Sequence, residues 1–172
     1  GDSVTRRWGA SDPAYAELLA NWRSNFYGWN AADFGWGADR IANILWRLEN
    51  GELDGVNPRV IVVQAGTNDI AALPRTDQSV EEVSRGIQAV LRVCQTKAPN
   101  SAIILTAIFL RNDNLQLIPI IRNVNARLAR LDEVLPRRAA ARRRAGGRRA
   151  RGRRAARGRR RRGGRDVRAR AR

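Results

Sequence analysis

The sequence predicts an α/β fold, a three-layer α/β/α sandwich with a parallel sheet, over residues 1–136. Short strand-like runs alternate along this part of the chain with segments of helical periodicity, which is typical of a parallel sheet with helices on both faces. The run Val60–Val63 holds only β-branched residues, as expected for a strand that is covered on both faces. Residues 137–172 lack any apolar periodicity, so we expect a single domain followed by an Arg/Ala/Gly-rich low-complexity tail.

The first half of the domain is predicted to contain two helices and one short strand. Asp12 and Pro13 have the residue types of a helix cap and a first helical position. We expect a short strand over residues 29–34 that runs into a glycine-bearing turn. A second helix follows, and Asn50-Gly51 is typical of its end. The apolar faces of the two helices are formed by Tyr15, Leu18, Leu19 and Trp22, and by Ile41, Ile44, Leu45 and Leu48.

The second half is predicted to contain two helices separated by a buried strand. Residues 79–82, Ser-Val-Glu-Glu, match a capping box and therefore predict a helix start. Residues 102–110 form the next apolar run, and a final amphipathic helix is expected to end before Pro136. The inward faces of these helices are formed by Val80, Val83, Ile87, Val90, Leu91 and Cys94, and by Leu117, Ile118, Ile121, Val124, Leu128 and Leu131.

The composition excludes several kinds of site. The sequence has no His, which removes the commonest general base and the commonest transition-metal ligand. A lone Cys94 excludes an intramolecular disulfide, and the compartment stays open between bacterial cytoplasm and secretion. No apolar run reaches the length of about 18 residues that a transmembrane helix needs, so we expect no membrane span. The sequence also has no Met, and we therefore expect a partial gene product.

Three short segments place polar residues at predicted strand-to-loop junctions, where α/β sheets bind ligands. They are Gly1-Asp2-Ser3, the turn 34–39, and the loop 66–69 after the Val60–Val63 strand. A serine after a tight turn can attack a carbonyl, while backbone and asparagine amides can donate hydrogen bonds to the oxyanion that forms. Each segment alone is more often an ordinary turn. Their order and context together indicate acyl-transfer chemistry.

At these residues the chain resembles the GDSL/SGNH hydrolases, over residues 1 to about 131. Gly1-Asp2-Ser3 matches the first block of that family, and residues 33–69 resemble one continuous family segment that includes the helix end ILWRLENGEL. The chain is similar in particular to the catalytic subunits of platelet-activating-factor acetylhydrolase and to related bacterial esterases. The resemblance implies the family's flavodoxin-like fold and a serine esterase that hydrolyses small acyl esters without a metal or an organic cofactor.

The resemblance also implies roles for individual residues. Ser3 would be the nucleophile, and its backbone N–H would be one oxyanion donor. Asn68 matches the oxyanion asparagine of the family, and Ala38 stands where the family usually has a glycine whose backbone N–H is a further donor. The candidate substrate-pocket residues are Asp2, Trp36 and Asp69. The aromatic residues Trp29, Phe34 and Trp36 either line an acyl pocket or pack into the core and the loops.

Departures from the family pattern bear on activity. Ala38 is tolerable unless its position needs a positive φ, because alanine still has a backbone N–H, and Asp33 stands where the family more often has asparagine. The family's last block, Asp-x-x-His, is absent, so Ser3 has no imidazole base and we expect impaired activity. The central strand that precedes the GDS block in family members is absent too. We therefore expect an incomplete sheet, which either folds poorly or pairs with another copy in a homo-oligomer.

The tail leaves two interpretations open. Residues 137–172 contain 19 arginines and one acidic residue, Asp166, a net charge of +18, whereas residues 1–136 carry a net charge of −1. Such a tail would bind nucleic acid or another polyanion without sequence preference. A reading-frame slip in a GC-rich gene would instead explain both the tract and the missing Asp-x-x-His block, and we favour it. The alternative function is a non-catalytic esterase-like scaffold with a polycationic tail.

Overall fold

The computed structural model describes residues 1–131, so the predicted tail of residues 137–172 lies outside the described part and the division at residue 136 stays a prediction. The helices are α1 (Ser3–Arg6), α2 (Ala16–Asn25), α3 (Ile41–Glu49), α4 (Thr67–Ala72), α5 (Asp77–Lys97) and α6 (Ile118–Leu128). The strands are β1 (Val60–Val63) and β2 (Ala102–Leu105), and short 3-10 turns lie at Arg7–Gly9, Pro13–Tyr15, Tyr27–Trp29 and Leu115–Leu117.

The two strands are parallel neighbours that align residue for residue, starting with Val60 beside Ala102. The predicted α/β fold with a parallel sheet is therefore confirmed. One face of the sheet packs on the core and carries Ile61, Val63, Ile103 and Leu105. The opposite face is open, with Val62 59% exposed and Ile104 52% exposed. The expectation that β1 is covered on both faces is therefore wrong for the described part of the chain.

The core lies between the covered face of the sheet and helices α3, α5 and α6. The predicted inward face of α5 is confirmed, because its apolar residues recur every three or four positions and all lie buried. Ile70, Ile87, Ile121 and Val124 are completely buried. These side chains belong to one continuous cluster, which joins the helices to the sheet.

The predicted strand over residues 29–34 does not form. Tyr27–Trp29 is a 3-10 turn, and Asn30 follows it in the left-handed region with φ 54°. The Trp29 N–H donates to the Phe26 carbonyl at 3.1 Å, and the Asn30 N–H donates to the Tyr27 carbonyl at 3.2 Å. These local hydrogen bonds and the positive φ replace the extended backbone that pairing with another strand requires.

The helix predicted from the capping box begins earlier than expected. Thr76 is the N-cap of α5, and its Oγ1 accepts the Ser79 N–H at 3.2 Å. Threonine supplies the same capping oxygen as serine, so the helix gains almost one more turn.

Within residues 1–131, none of the helices combines the length and the apolar character that crossing a bilayer requires.

The second strand is shorter than the predicted run of residues 102–110. β2 ends at Leu105 because its partner β1 ends at Val63. Further along, an asparagine of α6 makes the two backbone hydrogen bonds that a neighbouring strand would otherwise make. Asn125 accepts the Ile108 N–H at 2.8 Å and donates to the Ile108 carbonyl at 2.9 Å.

Candidate active site

The Gly1-Asp2-Ser3 turn leads directly into α1. Asp2 is the N-cap of this helix, and its Oδ1 accepts the Val4 N–H at 2.9 Å. Asp2 is completely buried, and its Oδ2 has no hydrogen-bond partner within the described residues. Burial raises the pKa of the Asp2 carboxyl, and the hydrogen bond from Val4 opposes this rise only in part. Asp2 thus supports the turn that carries Ser3.

We expect the Asp2→Asn variant to gain stability relative to the parent chain as the pH rises. The raised pKa means that protonated Asp2 adds stability below about pH 4, the pKa of an unfolded Asp, and that this contribution is lost as the pH rises through the folded-state pKa. Asparagine keeps the capping oxygen and carries no charge at any of these pH values. Thermal unfolding of both chains between pH 3 and 7, followed by circular dichroism, measures the difference.

Asp12→Asn is the matched control for this prediction. Asp12 is exposed and makes the same kind of bond, since its Oδ1 accepts the Ala14 N–H at 2.9 Å. If Asp2→Asn and Asp12→Asn changed the melting temperature in parallel over the whole pH range, the buried charge of Asp2 would not be the cause.

The loop before α3 packs directly against the start of α1. The Trp36 N–H donates to the Gly1 carbonyl at 3.2 Å. Gly35 is buried, and a Cβ at this position would lie 2.7 Å from the Asp2 carbonyl oxygen. Only glycine allows two backbones to approach this closely. The structure therefore brings the first two of the three sequence segments together.

Asp33 forms a side-chain hydrogen bond within the same loop. Its Oδ1 accepts the Gly35 N–H at 2.7 Å. The side-chain oxygen of an asparagine could accept this bond equally well. The second carboxylate oxygen of Asp33 is buried and has no partner among residues 1–131. Aspartate thus preserves the turn but buries an oxygen that is left without a donor.

Ala38 adopts the left-handed conformation, with φ 61°. Alanine in place of glycine is unfavourable here, since the left-handed region costs an L residue about 1–2 kcal/mol. The Ala38 N–H has no acceptor within the part of the chain that the structure describes. The Ala38 N–H therefore lies on a strained backbone and makes no hydrogen bond within residues 1–131.

We expect the Ala38→Gly variant to raise the free energy of unfolding by about 0.5–1 kcal/mol. Glycine removes the left-handed strain, and the larger entropy of its unfolded chain offsets part of that gain. Urea unfolding measures the change. The matched control is Ala20→Gly, in the middle of the right-handed helix α2, which we expect to lose about 1 kcal/mol. A loss of stability in both variants would contradict the strain at Ala38.

Two neighbouring side chains bond the start of α4 to the loop before α3. Asn68 Nδ2 donates to the carbonyl of Asp39, the residue after Ala38, at 2.8 Å. Asp69 caps α3, and its Oδ2 accepts the Ile41 N–H at 3.1 Å. Burial raises the pKa of Asp69, and the Ile41 N–H opposes this rise in part. Because an amide nitrogen carries two hydrogens, Asn68 keeps one N–H for a further acceptor.

Arg47 connects the loop before α3 to the turn that follows this helix. Its guanidinium pairs with the Asp39 carboxylate, and its Nε donates to Glu52 Oε1 at 2.6 Å. A third contact joins Nη2 to the Phe34 carbonyl at 3.5 Å. Burial lowers the pKa of Arg47, but the bonds to Glu52 and Asp39 outweigh it and raise the pKa overall. Asp39 is therefore held at two points, because Arg47 pairs with its carboxylate and Asn68 donates to its carbonyl.

The other candidate side chains differ in how exposed they are and in whether they form hydrogen bonds. Ser3 is half-buried, and its hydroxyl makes no hydrogen bond within residues 1–131. Trp29 and Trp36 are 83% and 56% exposed, so neither packs into the core. Arg47 and Gly35 are not among the site residues that the sequence predicts. The only sequence signal for them is their position inside the segment of residues 33–69, which resembles the family as a whole.

Residues 1–169 match the family described as GDSL-like Lipase/Acylhydrolase. The chain belongs to this family. The resemblance inferred from the GDS turn and the segment 33–69 is thereby confirmed. The roles of Ser3, Ala38 and Asn68, and of the pocket candidates Asp2, Trp36 and Asp69, stay predictions.

Curated relatives of this GDSL-family chain include platelet-activating factor acetylhydrolase subunits. The chain is 38% identical over 92 residues to the IB subunit alpha2 of Homo sapiens and 37% identical over 92 residues to that of Gallus gallus. It is 32% identical over 93 residues to the IB subunit alpha1 of Bos taurus. Each alignment covers 54% of this chain and 38% of the relative. The chain thus matches well under half the length of these proteins.

A solved structure from Bacteroides fragilis, described as an acylhydrolase, has a similar fold. It aligns with a TM-score of 0.52 and 20% sequence identity, over 78% of this chain and 59% of the other. At this level of identity the similarity concerns the fold alone. It agrees with the parallel α/β sheet described above.

Proposed function

We propose that this GDSL-family chain is a serine acylhydrolase of small esters, with Ser3 as the nucleophile and an impaired turnover. Three features support the proposal: membership of a lipase/acylhydrolase family, the sequence similarity to acetylhydrolase subunits, and the arrangement of the site. The observation that carries it is the hydrogen bond from Asn68 Nδ2 to the Asp39 carbonyl at 2.8 Å. It holds the Asn68 amide against the residue that follows Ala38, which supports the proposal that both groups donate to one oxyanion.

The chemistry follows from these groups. Ser3 Oγ forms a bond to the ester carbonyl carbon, and the carbonyl electron pair moves onto the oxygen, which becomes an oxyanion. The free N–H of Asn68 and the N–H of Ala38 donate to that oxyanion, as does the N–H of Ser3 itself. The alcohol then leaves with its bonding pair and takes a proton, and water hydrolyses the acyl-serine. No step of this reaction requires a metal or an organic cofactor.

The proposed mechanism lacks an efficient base to accept the hydroxyl proton of Ser3. The sequence has no His, and arginine does not deprotonate usefully in a protein. The hydroxyl must therefore give its proton to water or to a carboxylate that is a poor base toward an alcohol. Oxyanion stabilisation without a triad leaves rate enhancements of roughly 10³–10⁴ over water. We propose residual activity of that order or none.

We expect a fluorophosphonate probe to label the chain slowly and at Ser3. Ser3→Ala should abolish the label, whereas Ser11→Ala, at an exposed loop serine, should leave it unchanged. Mass spectrometry of the labelled peptides identifies the modified residue. Equal labelling of the parent chain and Ser3→Ala would exclude Ser3 as the nucleophile. Turnover of a short-chain aryl ester at the rate of ordinary esterases, abolished by Ser3→Ala, would overturn the proposed impairment.

A second candidate function is a non-catalytic scaffold that binds nucleic acid or another polyanion. The absence of His and the net charge of +18 on residues 137–172 favour it. On this proposal Ser3 stays unlabelled, while the full chain retains DNA at low salt and loses it when it is truncated after Pro136. Unchanged DNA binding after the truncation would count against it.

A further inference from the structure

Residues 26–32, the aromatic turn, lie exposed directly after α2. Every residue from 23 to 32 is exposed, and two of the aromatic residues are almost entirely so, since Tyr27 is 74% exposed and Trp29 is 83% exposed. The helix α2 itself has no buried residue and adds none to the hydrophobic core cluster. The aromatic turn is therefore an accessible apolar surface outside the core, of the kind that marks a site of interaction.

Aromatic contacts hold the start of the aromatic turn in place. The Phe26 ring stacks on Trp22 at a centroid distance of 5.0 Å and meets Trp8 edge-on at 6.2 Å. Such ring pairs are favourable beyond the apolar area that they bury. Trp8 lies in the turn Arg7–Gly9, which directly follows α1, the helix that begins at Ser3. The aromatic turn is therefore joined to the part of the fold that carries the proposed nucleophile.

Three backbone N–H groups of the aromatic turn are already bonded locally. The Phe26 N–H donates to the Trp22 carbonyl at 2.8 Å. The N–H groups of Trp29 and Asn30 donate to carbonyls within the turn, as described above. An unpaired N–H is costly to move out of water. Because these groups already have acceptors, the turn can enter a partly dehydrated environment without that cost for them.

The charges around the aromatic turn favour a negatively charged surface. Residues 26–32 carry no charge, and Arg23 lies in the last turn of α2 without an acidic partner among residues 1–131. Glu17 lies in the first turn, at the opposite end of this helix. Asp33 does not offset the charge of Arg23, because one of its oxygens bonds within its own loop and the other is buried. Residues 137–172, outside the described part, add a net charge of +18.

The size of the aromatic turn suits a lipid surface better than a second copy of the chain. Since an aromatic side chain buries about 150–250 Å², the exposed parts of Phe26, Tyr27 and Trp29 amount to roughly 400 Å². A stable protein interface buries about 800 Å² on each partner. Tryptophan and tyrosine, by contrast, prefer the boundary between water and the hydrocarbon of a bilayer. Binding at that boundary grows with the apolar area and with the attraction to anionic lipids.

We propose that the aromatic turn binds the surface of an anionic phospholipid bilayer, with Tyr27 and Trp29 inserted among the headgroups and Arg23 paired with lipid phosphate. This contact goes beyond the proposed acylhydrolase function and does not depend on it. Through Trp8, the bound turn is joined to α1, so the contact also restrains the segment that carries Ser3.

Sedimentation of the full chain with vesicles measures this binding. The vesicles contain equal amounts of phosphatidylglycerol and phosphatidylcholine, and about 1 M salt suppresses the contribution of the arginine tail, because the Debye length is then roughly 3 Å. We expect Trp29→Ala to lower the partition coefficient about tenfold and Tyr27→Ala to lower it severalfold, through the lost apolar contact. Trp46→Ala removes another exposed tryptophan, on α3, and should leave partition unchanged. Equal partition of Trp29→Ala and the parent chain would overturn the proposal.

Gly28 allows the contact to be disrupted while the fold and all the tryptophans are kept. A Cβ at this position would have no neighbouring atom within 4 Å. Gly28→Glu places a negative charge in the aromatic turn and should weaken partition into the anionic vesicles by about tenfold or more. Gly28→Ala, the matched control, adds no charge and should leave partition unchanged. Undiminished binding of Gly28→Glu would contradict insertion of the turn.

Quenching by brominated lipids reports which tryptophan enters the bilayer. We expect these lipids to quench the emission of the parent chain and of Trp46→Phe. Trp29→Phe keeps an aromatic ring, so it should still bind but lose most of the quenching. Full quenching of Trp29→Phe would show that a different tryptophan is inserted and would overturn the proposal.

Two outcomes concern the identity of the bound surface. Sedimentation velocity without vesicles should give the same mass for the parent chain and Trp29→Ala. If Trp29→Ala instead abolished self-association and left vesicle partition unchanged, the aromatic turn would bind a second copy and the proposal would fail. At low salt, equal partition of the parent chain into the anionic vesicles and into phosphatidylcholine alone would overturn the preference for anionic lipid.

Discussion

Replacing Gly66 by Ala is expected to lower the free energy of unfolding by about 2–4 kcal/mol. Gly66 precedes α4 with φ 107°, which costs an L residue about 1–2 kcal/mol. A Cβ there would also lie 2.9 Å from Ile108 Cδ1 and 3.3 Å from Ile87 Cδ1. Overpacking of a filled core adds about 1–3 kcal/mol. Urea unfolding at constant pH measures the loss.

Two other glycines separate the causes of this effect. Gly55 has φ 74°, and a Cβ added there would have no neighbouring atom within 4 Å, so Gly55→Ala should show the conformational loss alone, about 1 kcal/mol. Gly28 also has free space and no positive φ, and Gly28→Ala should be close to neutral. If Gly66→Ala lost no more stability than Gly55→Ala, the close packing around Gly66 would not contribute.

The Gly66 substitution bears on the proposed site as well. Asn68 lies two residues further along, and its amide bonds to the Asp39 carbonyl at 2.8 Å. A methyl group at residue 66 must displace the side-chain ends of Ile108, Ile87 and Val83, or shift the start of α4. We therefore expect Gly66→Ala to abolish fluorophosphonate labelling of Ser3 under conditions where the variant is still folded.

Replacing Arg47 by Met is expected to lower the free energy of unfolding by about 2–4 kcal/mol. Methionine keeps the apolar stem but leaves the carboxylates of Asp39 and Glu52 without their partner. The side chains of both acids are only 11% exposed, and removing one member of a largely buried ion pair is strongly destabilising. Chemical unfolding measures this loss, and hydrogen exchange should show faster exchange of the amides of residues 34–39.

Arg85→Met is the matched control for the buried pair. Arg85 lies 3.8 Å from Glu81, and both side chains are exposed, so this change should stay within about 0.5 kcal/mol. Adding Asp39→Asn and Glu52→Gln to Arg47→Met should restore part of the lost stability, because no buried charge is then left unpaired. Equal effects of Arg47→Met and Arg85→Met would show that burial of the pair is irrelevant.

Local patterns in the sequence predicted much of the fold correctly. Apolar residues at helical spacing placed the inward faces of α3, α5 and α6, and Asn50-Gly51 marked the end of α3. These signals act over one or two helical turns, so neighbouring residues suffice to decide them. The same kind of signal failed for residues 29–34, where local hydrogen bonds of a 3-10 turn replaced the predicted strand.

The sequence by itself determined the α/β class, the family and the identity of the candidates Ser3, Ala38 and Asn68, because these depend on residue types in order along the chain. Only the tertiary structure decided the positive φ of Ala38, the close approach at Gly35 and the bridging of the loop before α3 by Arg47. It also decided that Trp29 stays exposed in the aromatic turn. The contacts along Arg47 and at Gly35 join residues between 5 and 33 positions apart, and they depend on how the loop before α3 packs against its neighbours, which no local pattern encodes.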